Sequence, residues 1–149
     1  MGEGPIEATT GIRASTDQLV VAREFLIELL KRSTMPEKDA RAVVLAVDEA
    51  LANTIEHGFG GAEGEITLKV ACDARRFSIT IVDQAKQYDS ASRVSQSNVD
   101  MQSHVDAGKR RGLGLFIMRK VMDEVKYAYR DGKNNELTLV KYIKPAENA

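Results

Sequence analysis

Residues 43–61, VVLAVDEALANTIEHGFGG, decide how this chain is read. The run is apolar at helical spacing, then gathers polar residues, then stops on glycine. At about 100° per residue, Val43, Val44, Val47, Leu51, Thr54 and Ile55 fall on one stripe, expected to face a core. Glu49, Asn53 and His57 follow one another at i, i+4 and lie within about 80° of one another, on roughly the opposite side. Ala42, Leu45, Ala46 and Ala52 flank that ridge. A polar row bordered by alanines and a leucine predicts a covered crevice rather than an open wet face. The helix is expected to start near Glu37, with Pro36 suited to its first turn.

Upstream, residues 1–8 read as a flexible leader and TTGIRAS as a short strand. Ser15 and Gln18 have the spacing of a capping box. They precede a helix whose apolar positions are Leu19, Phe25, Leu26, Leu29 and Leu30. Downstream, EITLKVAC and RFSITIVD alternate with period two around the turn DAR, which predicts an antiparallel hairpin. Ile66, Leu68, Val70 and Cys72 share one face, matched by Phe77, Ile79 and Ile81, and the same count puts Asp83 on that apolar face.

The pattern then dissolves from 84 to 111, a length that suits a lid or binding loop, here assigned to 88–111. It ends in GKRRGLGL and passes into the apolar helix LFIMRKVMDEV. KYAYR, the turn DGKNN and ELTLVKYI form a closing hairpin. The order β-α-α-β-β-lid-α-β-β predicts a single domain over 1–149, a two-layer α/β sandwich with helices on one face of a largely antiparallel sheet.

Bulk properties narrow the function. A net charge of −1 gives no electrostatic footprint for nucleic acid. The single cysteine, Cys72, excludes an internal disulfide and a thiolate metal cluster, and its apolar alternating setting reads as a buried structural thiol. No stretch approaches the roughly 18 apolar residues that span a bilayer, and no secretion signal is evident. A cytoplasmic protein without direct nucleic acid or membrane contact is the expectation.

Three features carry chemistry. Asp83, a carboxylate on a core-facing strand, is costly to bury unless something donates hydrogen bonds to it, and an adenine amino group is one such donor. On the helix ridge, Glu49 can take a proton from a hydroxyl or water, and Asn53 offers a neutral oxygen suited to Mg²⁺. His57, one turn on, would reach phosphate or the lid. Gly112 and Gly114 precede a helix, whose exposed N–H groups receive phosphate, with Lys109, Arg110 and Arg111 adding positive charge. Each also has a plainer reading: a strand-end residue turned to water, a solvated helix face, and an ordinary glycine-rich helix start.

Taken together, Glu49-x-x-x-Asn53-x-x-x-His57, the strand-end Asp83 and Gly112-x-Gly114 resemble the N, G1 and G2 boxes of the GHKL (Bergerat-fold) ATPases. LAVDEALANTIEHGF and RGLGLFIMRKVMDEV are similar to the branch of bacterial anti-sigma factors that are also serine/threonine kinases, and the resemblance spans roughly 12–143. It implies ATP held between the second helix and the lid, with Glu49 as general base and Asn53 holding Mg²⁺. It also implies Asp83 receiving the adenine amino group, and Arg111, Gly112 and Gly114 at the phosphates. The implied reaction transfers the γ-phosphoryl of ATP to a serine or threonine of a STAS-fold anti-anti-sigma partner. The implied assembly is a homodimer that sequesters a sigma factor.

The G1 box departs from the family pattern: Ala85 and Gln87 stand where Asp-x-Gly-x-Gly has glycines. Two readings therefore stay open, the kinase and a partner-binding module of the same fold with weakened or lost nucleotide binding. A histidine-kinase catalytic domain is not expected, since neither His57 nor His104 lies on a dimerisation helix pair.

Overall fold

The computed structural model describes residues 5–59, 64–84, 116, 118–130 and 134–144, excepting the side chains of 57–59. Five strands form one antiparallel sheet: β1 (Ile6–Arg13), β2 (Glu65–Cys72), β3 (Arg76–Asp83), β4 (Glu124–Arg130) and β5 (Asn134–Tyr142), in the spatial order β1-β2-β3-β5-β4. The helices α1 (Leu19–Lys31) and α2 (Glu37–Asn53) belong to the second layer. This is the α/β sandwich expected from the sequence.

The register follows from alternation. Ile66 pairs with Asp83, Leu68 with Ile81, Val70 with Ile79 and Cys72 with Phe77. One face therefore carries every large apolar side chain of this hairpin except Val82, all of them buried. Burying each such side chain is worth about 1.5–3 kcal/mol, so slipping the register by one residue would turn the whole set to water. The turn is fixed by Asp73, whose Oδ1 accepts the backbone N–H groups of Arg75 (2.8 Å) and Arg76 (3.0 Å). Cys72 is a buried thiol, as expected, and burial pushes its pKa up, with the Asp73 charge adding to the effect.

The sequence reading is corrected at three places. First, the leader is shorter than 1–8. Ile6 is buried and pairs with Cys72, so the chain is already β-structured there, because its apolar side chain completes the covered face. Second, the capping box does not form. Ser15 makes no side-chain cap and is followed by a 3₁₀ turn at Thr16–Gln18. Gln18 instead accepts the N–H of Arg13 through Oε1 (3.2 Å), which ties the end of β1 to the start of the helical layer.

Third, the buried arc of α2 is rotated from the expected one. Ala46, Ala50 and Asn53 are fully buried beside Val43, Val47 and Leu51, whereas Leu45 is exposed and Val44 only half-buried. The alanines take the centre of the buried arc, where α2 also packs against α1, and Glu49 is left half-buried. Pro36 stands just before α2 with an extended backbone, its carbonyl accepting the N–H of Ala40 (2.9 Å). Glu37 and Asp39 in the first turn complement the helix dipole.

On the outer side of the helical layer, Arg23 of α1 reaches Asp48 of α2 (3.0 Å). A groove of about 700 Å³ runs there, lined in part by Ile27, Val44 and Leu45. Among the described residues no helix is long and apolar enough to cross a membrane.

Candidate functional site

Glu49 and Asn53 lie on the last turns of α2, and Asp83 ends β3. The α-helix stops at Asn53 and continues as a π-helical segment, Thr54–Phe59. A π turn holds more residues per turn than an α turn and often marks functional positions. It also ends the strict i, i+4 repeat, which is what had aligned His57 with Asn53. The side chain of His57 lies outside the described residues.

Asn53 is fully buried. Its Oδ1 accepts no hydrogen bond, although the residue has interactions of its own. A buried neutral oxygen at a helix end is a chemically apt ligand for a hard cation. Glu49, one turn earlier, is half-buried and also engaged. Partial exposure suits a group that must gain and lose a proton, since full burial would penalise its charged form.

Asp83 is where alternation placed it, on the covered face, and only 5% exposed. It is not turned to water. Asn135, its register partner on β5, donates from Nδ2 to Asp83 Oδ1 at 3.0 Å. Asn135 is equally buried, and its Oδ1 accepts a hydrogen bond from the hydroxyl of Tyr127 on β4. Tyr127 is a diagonal neighbour of Asn135: Tyr129 stands directly opposite Asn135, and Tyr127 lies two residues away. A buried polar relay thus crosses three strands, Tyr127 to Asn135 to Asp83.

Asn135 and Tyr127 were not singled out in the sequence. The signal existed. Leu139 and Leu137 alternate inward, and extending that count two residues back reaches Asn135. Starting the last strand at Glu136 left Asn135 in the turn, whereas β5 begins at Asn134.

A hollow of about 610 Å³ also touches Asp83, but Thr67, Lys69 and Val82 line it, and these belong to the uncovered face of the sheet. Neither Glu49 nor Asn53 lines it, so it is not the crevice expected between helix and sheet.

The third part of the expected site, Arg111 with Gly112 and Gly114, lies outside the described residues, as do the 88–111 lid and Ala85 and Gln87 of the altered G1 box. The helix that follows is described at 116 and 118–121, where Met118 is fully buried and Lys120 lies over the Phe116 ring, 5.8 Å from its centre.

Comparison with known proteins agrees with this fold. The family model for the histidine kinase-like ATPase domain matches residues 12–141. The serine-protein kinase RsbW of Listeria monocytogenes is 26% identical over 137 residues, covering 91% of this chain and 86% of that one. The RsbW of Bacillus velezensis is 27% identical over 134 residues, covering 89% and 82%. An anti-sigma F factor of a Thermoanaerobacter species is 29% identical over 98 residues, 66% of each chain. In three dimensions the chain superposes on the crystal structure of the RsbU and RsbW domains of a Mycobacterium tuberculosis protein. The TM-score is 0.63 at 18% identity, over 97% of this chain and 34% of that longer one. With α1, α2 and strands β2 to β5 all but wholly inside the matched region, this chain belongs to the histidine kinase-like ATPase family, the GHKL superfamily, and its named relatives are of the anti-sigma factor kinase branch.

Proposed function

We propose that this protein is an anti-sigma factor that is also a serine/threonine kinase, transferring the γ-phosphoryl group of ATP to a STAS-fold anti-anti-sigma partner. The observation that carries the proposal is Asp83: a carboxylate 5% exposed on the apolar face, held by Asn135. Such a group is expensive to keep for stability alone and well suited to accept the exocyclic amine of adenine. The relatives named as serine-protein kinases support the reaction class.

In this reading Asp83 anchors the base, and Asn53 contributes its amide oxygen to Mg²⁺. Among the described residues no cluster of three His, Cys, Asp or Glu side chains could hold a metal. An ion bound largely through nucleotide phosphates fits that donor set. Mg²⁺, when bound, neutralises charge on the phosphates. Arg111, Gly112 and Gly114 are proposed at the phosphates, with His57 at the helix end.

Glu49 takes the proton of the partner's hydroxyl as its oxygen bonds to the γ-phosphorus, while the bond to the bridging oxygen breaks and ADP leaves with the electron pair. A sigma factor as second partner, a homodimeric assembly and a cytoplasmic setting belong to the same proposal.

Titration with ATP and Mg²⁺ tests it. Micromolar binding is expected, to be lost in Asp83→Asn. Glu49→Ala should keep ATP binding and reduce phosphorylation of a STAS-fold substrate by about 10²–10⁴-fold. Equal loss of both in Glu49→Ala would make Glu49 structural. Ala85 and Gln87 favour a second reading, a partner-binding module without nucleotide chemistry. Absence of binding at millimolar ATP would select it.

A further inference from the structure

We propose that Tyr127 and Asn135 are positioning residues that hold Asp83 as a hydrogen-bond acceptor, and that they set a preference for purines carrying an amino group at the 6-position over those carrying a carbonyl. This rests on the reading of Asp83 as the base anchor and adds two residues on other strands to it.

The inference comes from the polarity of the relay. A side-chain amide has one accepting and one donating end, and turning it over exchanges them. An ionised carboxylate only accepts, so Asn135 must present Nδ2 to Asp83, as it does at 3.0 Å. Its Oδ1 then faces Tyr127, whose hydroxyl donates to it. Tyr127 thus donates to the oxygen of an amide whose orientation the carboxylate requires, and so reinforces that orientation.

With the amide reversed, two oxygens would face each other inside a buried site, and Asp83 would have to carry a proton and donate. In that state the neutral acid would no longer repel a 6-carbonyl as the ionised carboxylate does, and would accept more weakly from a 6-amino group, so the preference between them would fall. All three residues project from the covered face of three neighbouring strands, so the sheet itself fixes their spacing.

Tyr127→Phe keeps the ring and deletes the hydroxyl that donates to Asn135. For the full-length chain, affinities for ATP and for inosine triphosphate, which has a carbonyl at position 6, are measured by titration with Mg²⁺. The expected result is a loss of ATP affinity of about tenfold, the order associated with one hydrogen bond to a buried polar group, with a much smaller change for inosine triphosphate. The selectivity ratio falls accordingly.

Asn135→Leu, of similar size, should lower the ratio at least as far, and adding Tyr127→Phe to it should change nothing more, since the relay is already cut. Thermal melting of each variant shows whether the fold persists. An unchanged ratio in both single variants, or equal losses for both nucleotides, overturns the proposal. If Asp83→Asn itself leaves ATP affinity unchanged, the base-anchor reading fails and this inference with it. If Asp83→Asn abolishes binding while Tyr127→Phe leaves the ratio intact, only the positioning role fails.

Discussion

The two faces of the sheet are built from the same strands, yet they treat polar residues differently. On the uncovered face, Thr80 pairs with Thr138 (3.1 Å), Arg130 with Glu136 (2.8 Å) and Lys126 with Glu124 (3.0 Å), all in reach of water. On the covered face, beneath α1 and α2, polar groups are rare and interlocked. Asp83 and Asn135 are buried together, and Tyr127 completes the chain. A polar pair at the surface needs no explanation beyond solubility and alternation. A carboxylate among isoleucines does, because an apolar residue would fit the strand pattern as well. The contrast marks the residues that folding alone does not explain.

The contrast can be broken or sharpened by substitution. Phe77, wholly buried on the covered face, should lose about 3–5 kcal/mol of stability as Phe77→Ala, measured by urea unfolding. A loss below about 1 kcal/mol would mean the covered face is not the core.

Next in size is Asn135→Leu, which removes a donor from the buried Asp83 and should cost about 1–3 kcal/mol. The double variant Asp83→Leu with Asn135→Leu should recover most of that cost, since replacing both members of a buried polar pair with apolar residues is often neutral or favourable. A double variant worse than the sum of its parts would show that the pair serves stability after all.

Smaller still, Arg130→Ala on the uncovered face should change stability by no more than about 0.2–1 kcal/mol, less at high salt, because its partner sits in a solvated, screened setting.

The least effect belongs to the exposed turn between β2 and β3. Backbone N–H groups of Arg75 and then Arg76 hold the Asp73 carboxyl below its ordinary pKa. A folded value below the unfolded one means the contribution is present above about pH 4 and is lost as pH falls through the lowered value. Asp73→Asn should flatten the acid limb of the stability profile. An unaltered limb would show that the turn does not need the charge.

Much of this was legible along the chain. Period-two alternation gave both hairpins and carried Asp83 onto the apolar face, and it did so because a strand's side chains can only point two ways. Helical spacing found α1 and α2. It found Val43, Val47, Leu51, Thr54 and Ile55 on the buried arc but set that arc too far toward Val44, since periodicity ranks residues by polarity and passes over alanines. The capping box failed for a related reason: Gln18 had a better acceptor role with Arg13, supplied by the end of β1.

What the linear order determined by itself is therefore the inventory: five strands, three helices of which α1 and α2 are described throughout, one inward-facing aspartate, and a Glu49–Asn53 spacing that survives in the folded helix. Only the tertiary structure decided the neighbours. The pairing of β3 with β5 and of β5 with β4 brings Tyr127, Asn135 and Asp83, dispersed over 53 positions from Asp83 to Asn135 inclusive, into one hydrogen-bonded row. Sequence distance says nothing about which strands become adjacent. That is set by how the whole apolar surface is buried at once, and the relay exists because the sheet closes in that order.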